Sequence, residues 1–480
     1  MIERPILVLT AKDFYTGISA YPQLPGQGLW QTCGRLNPFI TPGVLKIQSA
    51  VTDLTASVVV DNPIASAANS TFLYVLGHSG HFYEIADVNT APVVTDRRSA
   101  SPITNPVAGM AVFQPNGGTK YLYYWQETKI GRWDFTAGTG GFTDNYIGSG
   151  GSINTALQSS TFHPVHKMFD SIFYGNLDRI GQIQDDGAGS ITSDTGALDL
   201  PTESTVTALS DDGYYLIAAV SRGTSSSALY QRSKVIFWDR TSSSWQKEWQ
   251  INDPIISAMQ EKGGLIYALG SRGVYVFNYA TPPKLLRTDV TATYGYPRQM
   301  DLYNDAVVMG TYTFGKVIPG VPNALFNIYG SQMSGSVSMV DTGASSNFTF
   351  FGTTSAKLYY FTNNSALGVA TNSGTFTTVY IPLGARYQIS SMVIVRDIPL
   401  TSTEDITFSV RTSATESDCV FTHMSYTNHG DKRGVRIYPD SSTGPLPVGD
   451  AISIEMNRDA GVGSMRIKQI EIYGEPNQNN

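Results

Sequence analysis

The chain has 480 residues, 41% hydrophobic, with 46 Gly, 27 Tyr and 21 Phe but only 15% charged. That apolar content can bury a core, so composition excludes a disordered chain. A net charge of -7 excludes the broad basic surface that phosphate backbones demand, and no nucleic-acid partner is expected.

The N-terminal MIERPILVLTA has too short an apolar run for an export signal, and Glu3 stands where such signals are basic. No stretch approaches the roughly 20 apolar residues of a membrane span, so neither export nor membrane insertion is expected. Residues 1–50 precede any repeat. Pro22, Pro25, Gly26 and Gly28 make an irregular linker, followed by the apolar anchors Trp30, Phe39, Val44, Leu45 and Ile47. Two readings of this arm stand: an extended segment tucked against a first blade, or a strand that completes the last blade and closes a ring.

From 51 to 368 one shape recurs. Lys262–Asn278 (KGGLIYALGSRGVYVFN) is two short apolar runs joined by Ser-Arg-Gly, the pattern of a β-hairpin. Related hairpins start at Ser70, Thr119, Asp170, Asp212, Asp301 and Asn347, roughly 40 to 52 residues apart, the spacing of propeller blades. The pattern predicts six or seven blades, the number turning on whether 347–368 pair with the N-terminal arm. Gly-, Ser- and Pro-rich stretches at 136–152, 221–233 and 316–323 are expected as insertions projecting from one face. No helical period persists.

Beyond 369 the pattern changes to alternating strands, ending in Met465–Ile472, which alternates apolar and polar residues except at Lys468-Gln469. Such strands over 369–480 predict a jelly-roll-like β-sandwich. The expected architecture is therefore all-β: an arm at 1–50, a propeller at 51–368 and a sandwich at 369–480.

Chemical signatures are sparse. There is no phosphate loop and no His-Glu-x-x-His pair. His78 and His81, and His163 and His166, are expected as ordinary loop histidines, since no third ligand accompanies either pair. Asp185-Asp186-Gly187 and Asp211-Asp212-Gly213 are expected as tight turns: adjacent strand residues point to opposite faces, which suits them poorly to acid–base partnership. Tyr121–Trp125 are expected to pack between blades. Trp238, Trp245 and Trp249 surround a Ser-rich turn and are expected partly exposed, as at binding surfaces. Cys33 and Cys419 are expected as buried free thiols. No residue takes a catalytic, cofactor or metal role.

The chain resembles tail-associated virion proteins of tailed bacteriophages that join a β-propeller to a terminal β-sandwich. The likeness lies in PGQGLWQTCGRLNPFITPGVLKI near the N-terminus, in blades lacking the WD40 and kelch signatures, and in TTVYIPLGARYQISSMVIV, DITFSVRTS and SMRIKQIEIYGE near the C-terminus. The resemblance implies a non-enzymatic structural protein at a nozzle, tail tip or fibre attachment, assembled in the host cytoplasm into the virion. Its expected partners are other virion proteins, further copies of itself and a host surface glycan. The competing expectation is a carbohydrate-binding module or a propeller-type glycoside hydrolase. Sialidase-type boxes are not matched: Ser210-Asp211-Asp212-Gly213 has the wrong spacing.

Overall fold

The computed structural model describes residues 4–14, 30–34, 36–37, 45–47, 52–54, 61–69, 71–136, 138, 140–222, 232–288, 291–292, 296–297, 299–303, 306–310, 315–317, 325–327, 334–345, 348–362, 374–397, 399, 405–412, 418–422, 424–430, 432–440, 442, 446–458 and 466–477. The protein is all-β. Among these residues the only helices are the four-residue turns Ala11–Phe14 and Tyr426–His429. Two compact units form: Thr52–Thr313 with Met333–Phe361, and Met1–Val51 with Phe314–Gln332 and Thr362–Asn480.

Seven four-stranded antiparallel sheets follow one another. Blade 1 is Pro63–Ala68, Leu73–Gly77, Phe82–Ala86 and Val93–Asp96. Blade 2 is Pro106–Phe113, Tyr121–Gln126, Ile130–Trp133 and Phe142–Ile147. Blade 3 is Val165–Met168, Ser171–Gly175, Arg179–Asp185 and Ile191–Asp199. Blade 4 is Ser204–Asp211, Leu216–Arg222, Ser233–Trp238 and Lys247–Ile251. Blade 5 is Ile256–Lys262, Leu265–Gly270, Val274–Phe277 and Lys284–Arg287. Blade 6 is Met300–Tyr303, Ala306–Met309, Gly315–Val317 and Leu325–Asn327. Blade 7 is Val337–Asp341, Phe348–Thr353 and Lys357–Thr362, with Thr52–Asp53 as its fourth strand.

The first strand of each blade packs beside the first strand of the next, and that of blade 7 beside that of blade 1. The sheets therefore close into a β-propeller. Closure is made twice. At the rim, Thr52 and Asp53 pair with Tyr360 and Tyr359, and Lys357 Nζ lies 2.8 Å from Asp53. Near the axis, Ser66 Oγ donates to the buried Asp341 carboxylate (2.9 Å), and Ser338 Oγ donates to the Pro63 carbonyl (2.6 Å).

Position in the blade dictates residue type. First strands converge on the axis and carry small side chains, as in Ala65-Ser66-Ala67 and Ala108-Gly109. A Cβ on Gly109 would stand 2.7 Å from the His163 carbonyl of the next blade. Five first strands shift register against their second strand, at Pro63/Ala65, Pro106/Met110, Val206/Ala208, Ile256/Ala258 and Val337/Met339. Such bulges add twist where the strands crowd. Second and third strands carry the bulky groups between blades. Tyr74, Leu76 and Phe82 of blade 1 bury against Met110, Leu122, Tyr124 and Trp133 of blade 2.

The stretch 136–152, read from sequence as an insertion, instead supplies the fourth strand of blade 2, Phe142–Ile147. Its glycines bend the chain into that strand; Gly138 and Gly141 take φ of +80° and +78°. Of the other two stretches, 223–231 and 318–323 lie outside the described residues.

In the other unit, twelve strands join in one hydrogen-bonded network. Ile381–Arg396, Val448–Arg458 and Arg466–Pro476 are its long members, with Gly374–Thr378, Asp405–Arg411 and Gly434–Ile437 beside them. The N-terminal arm belongs here as well. Leu7–Leu9 and Leu45–Ile47 pair with Arg466–Pro476, and Trp30–Gly34 pairs with Gly374–Thr378. One face is fully covered: Phe376, Met392, Ile394, Phe408, Ile454, Ile467 and Ile472 expose no surface.

Gly131 lies directly across from Tyr124, whose ring covers it and whose hydroxyl donates to Asp144 (2.6 Å). Gly131→Ala drives a methyl into that ring. The expected loss is about 1–3 kcal/mol of stability, read as a lower urea midpoint at unchanged slope; an unaltered midpoint would show the ring moves freely.

Candidate functional site

In each blade, the turn between the first and second strands shares a face with the turn between the third and fourth. Along the ring, the first kind of turn in one blade meets the second kind in the next. Blade 1's Tyr74, at the start of its second strand, packs 5.5 Å from Phe135 of blade 2, ring to ring. Blade 2's Asn116 N–H donates to Asp185 of blade 3 (2.6 Å). Blade 3's Phe169 ring receives the Arg240 guanidinium of blade 4 at 5.0 Å. Blade 4's Tyr215 stacks on Tyr279 of blade 5 at 4.9 Å and 7°.

Over blades 3 to 5 this face leaves aromatic surface in water. Tyr214 is 64% exposed, Phe169 62% and Tyr279 36%. Tyr214 and Tyr215 meet edge-on at 4.6 Å. Lys247 Nζ stands 4.2 Å from the Trp249 ring and 4.7 Å from that of Tyr279. Trp249 Nε1–H donates to the Asn278 carbonyl (3.0 Å), which fixes its ring beside Tyr279. The result is a continuous platform, Tyr214–Tyr215–Tyr279–Lys247–Trp249, with Phe169 and Arg240 on the same face one blade back.

Three carboxylates nearby, Asp211, Asp212 and Asp239, are committed. Asp212 accepts the Tyr214 and Tyr215 N–H groups (3.0 and 2.7 Å), and this Asx turn presents the two tyrosines. Asp239 accepts the Ser242 hydroxyl and amide, which hold its carboxyl down to about 2. Asp211 accepts the Gly213 N–H and pairs with His166 Nε2 at 2.5 Å across the first strands of blades 4 and 3. That imidazole holds the Asp211 carboxyl below its usual range. Among the described residues Arg240 and Lys247 form no ion pair; the Arg240 guanidinium lies over the Phe169 ring and its charge helps to lower Asp211, and Lys247 lies over the Trp249 and Tyr279 rings.

The tryptophans singled out from the sequence therefore divide. Trp245 and Trp249 are half-buried with a lysine over each ring, Lys234 at 4.4 Å from Trp245. Trp238, expected beside them at the surface, is 1% exposed and packs with Leu209, Leu216 and Ile236. It lies on the third strand, which faces the neighbouring blade. Tyr123, Tyr124 and Trp125 are fully buried between blades. Asp185 and Asp186 cap the turn amides of Gly187, Ala188 and Ser190.

The histidines also part company. His78 is exposed, and His81 Nδ1 lies 2.6 Å from Asp96. His166 lies on the strand Val165–Met168 rather than in a loop. His163 lies in the loop before that strand, as expected, but exposes no surface. Its Nδ1 stands 2.6 Å from the Gly175 carbonyl and its Nε2 3.3 Å from that of Glu127, in the preceding blade. A neutral imidazole donates from one nitrogen only, so the shorter contact takes the proton. Burial pushes His163 below 6.5, its ordinary value. The signal that could have placed it is a repeated tripeptide at the start of first strands: Asn62-Pro-Ile, Asn105-Pro-Val, His163-Pro-Val and Asp253-Pro-Ile.

Among the described residues no group of three His, Cys, Asp or Glu is placed to hold a metal, and no helix is long and apolar enough to cross a membrane. Cys419 is a buried free thiol; the Cys33 side chain lies outside the described residues. A groove of about 680 Å³ opens on the other face of blade 4, between Thr202, Ser204, Arg222, Arg232 and Glu248.

The fold defines a β-propeller protein. No family model and no curated protein matches the sequence. Among solved structures, the chain is similar to the WD40 domain of Neurospora crassa Pan2, with TM-score 0.44 and 11% identity, over 66% of this chain and 95% of that one. It is similar to the WD40 propeller domain of Doa1, with TM-score 0.44 and 12% identity, over 64% and 94%. It is also similar to a catalytically inactive virginiamycin B lyase from Staphylococcus aureus solved with quinupristin, with TM-score 0.43 and 11% identity, over 65% and 98%.

The depressed His163 value has a definite sign. The folded chain resists charging this group, so its contribution to stability is whole above pH 6.5 and erodes as pH falls below it. His163→Asn installs the non-titrating residue used at the matching positions 62 and 105. Urea unfolding should then show a pH slope below 6.5 shallower by up to about 1.4 kcal/mol per pH unit. An unchanged slope would mean that another group sets acid stability.

Proposed function

We propose that this chain acts by binding rather than by chemistry, as a structural and interaction component of a tailed-phage virion, placed in the tail. The observation that carries the binding part is the exposed platform of Tyr214, Tyr279 and Trp249 on a rigid ring. Aromatic side chains with two stiff torsions lose little entropy on contact, and clustered exposure of this kind marks interaction surfaces. Asp211, Asp212 and Asp239 are occupied by turn amides, a hydroxyl and a histidine, an arrangement that presents the platform rather than turning over a substrate.

The virion part is supported by the sequence resemblance of Pro25–Ile47 and the C-terminal strands to tail-associated proteins. The jelly-roll-like sandwich belongs to the same reading. A sheet whose long strands bury one face completely must fold that face over on itself or cover it, and strands as long as Ile381–Arg396, 16 residues, can bend from one layer into a second. Partners are then other virion proteins and further copies of this chain.

Cross-linking of intact particles, with mass photometry of the purified protein, tests this. A symmetric oligomer cross-linked to other virion proteins is the expected result. A free monomer with no virion neighbour would overturn the tail assignment.

A further inference from the structure

We infer that the ligand of the blade 3 to 5 face is an acidic carbohydrate, a glycan bearing carboxylate groups. The inference rests on reading this chain as a binding protein and names what that platform takes.

Charge is the first argument. The chain carries a net -7, yet on this face Asp211, Asp212 and Asp239 are used internally, while Arg240 and Lys247 form no ion pair among the described residues. Asp212 is used by backbone amides, Asp239 by Ser242, and Asp211 by His166 and Gly213. Arg240 and Lys247 contact the rings of Phe169, Trp249 and Tyr279. A cation over a ring keeps its outward N–H groups free, so a ligand that supplies anions completes both sites.

Ring geometry is the second. Tyr214 stands edge-on to Tyr215 with most of its surface in water, and Tyr215 and Tyr279 lie parallel. Flat rings at separate points along a face suit the C–H faces of successive sugar rings, which need no deep pocket. Neighbouring hydrogen-bond groups are exposed turn hydroxyls, those of Ser243 and Ser244 among them, which match ligand hydroxyls. A polyphosphate is the poorer fit, because two cations on an acidic chain neutralise little of its charge.

The test is binding of the intact protein to three probes, followed by Trp fluorescence and calorimetry: an oligogalacturonate, a neutral dextran oligosaccharide of equal length, and a poly-glutamate peptide. Saturable binding of the oligogalacturonate alone, weakened by added salt, is expected. Tyr214→Ala and Lys247→Gln should each weaken it about tenfold, one ring stack or one charge contact. Both side chains lie at the surface, so unchanged circular dichroism and urea midpoints confirm that the variants fold.

Failure to bind oligogalacturonate, equal binding of dextran, tighter binding of poly-glutamate, or indifference to both substitutions would each overturn the inference. Such a failure is distinguishable from failure of the virion assignment, which is read from cross-links between proteins and is independent of these probes.

Discussion

The constraint on which the propeller depends is the crowding of seven first strands around one axis. Strands that converge from seven sheets leave no room for large side chains between them, and the chain answers with alanine, serine and glycine. Gly109 shows how tight the approach is, because a single Cβ there would meet the neighbouring blade's backbone. Small side chains supply little hydrophobic energy. The inner ring is therefore held by polar contacts that fit the space: Ser66 to Asp341, Ser338 to the Pro63 carbonyl, His163 to the carbonyls of Gly175 and Glu127, and His166 to Asp211. The apolar work moves outward, to the Tyr, Trp, Phe and Ile clusters between second and third strands.

This division explains what could be read from the residues alone. Second and third strands, such as Leu265–Gly270 with Val274–Phe277, are β-branched and aromatic runs joined by a short turn, and they stood out. First strands did not. Pro63–Ala68 and Ser204–Asp211 are buried on both faces, so they show no alternation, and their small residues have weak strand preference. Most fourth strands are short and wet, Ile191–Asp199 apart, and Phe142–Ile147 hides among glycines. Of the site, Trp245 and Trp249 were legible as surface aromatics because they flank serines. Tyr214 and Tyr279 were not, because their neighbourhood comes from the apposition of turns in blades 4 and 5, a contact that no local pattern encodes.

The platform is a by-product of ring packing. Every blade pair needs some contact between its facing turns, and the chemistry of that contact varies around the ring. Between blades 2 and 3 it is a backbone amide on a carboxylate. Between blades 4 and 5 it is two stacked phenol rings. The second kind leaves ring surface in water, most of it on Tyr214 beside the stacked pair. Rigidity follows from the same contacts, since Trp249 is tied to Asn278 and both tyrosines are presented by the Asp212 turn. A preformed platform gives up little entropy on binding.

The path of the chain adds one more consequence. The strands at 7–47 pair with the sheet made by residues 374–477, and Thr52–Asp53 pair with a strand near 360. In sequence, Thr52–Thr313 of the propeller thus follows the first strands of the other unit and precedes the rest of it. Neither unit is complete until sequence far downstream has been made, because each takes its closing pair from both ends of the propeller segment. Closing such long loops costs entropy that grows only slowly with their length, so the finished molecule bears it, but the pairing is non-local and slow to form. Until then Thr52–Asp53 lacks the strand beside which it forms the rim of blade 7. The Lys357–Asp53 pair sits where that rim is finally covered, and strand pairing there joins the two ends of the propeller more firmly than either terminal strand could hold alone.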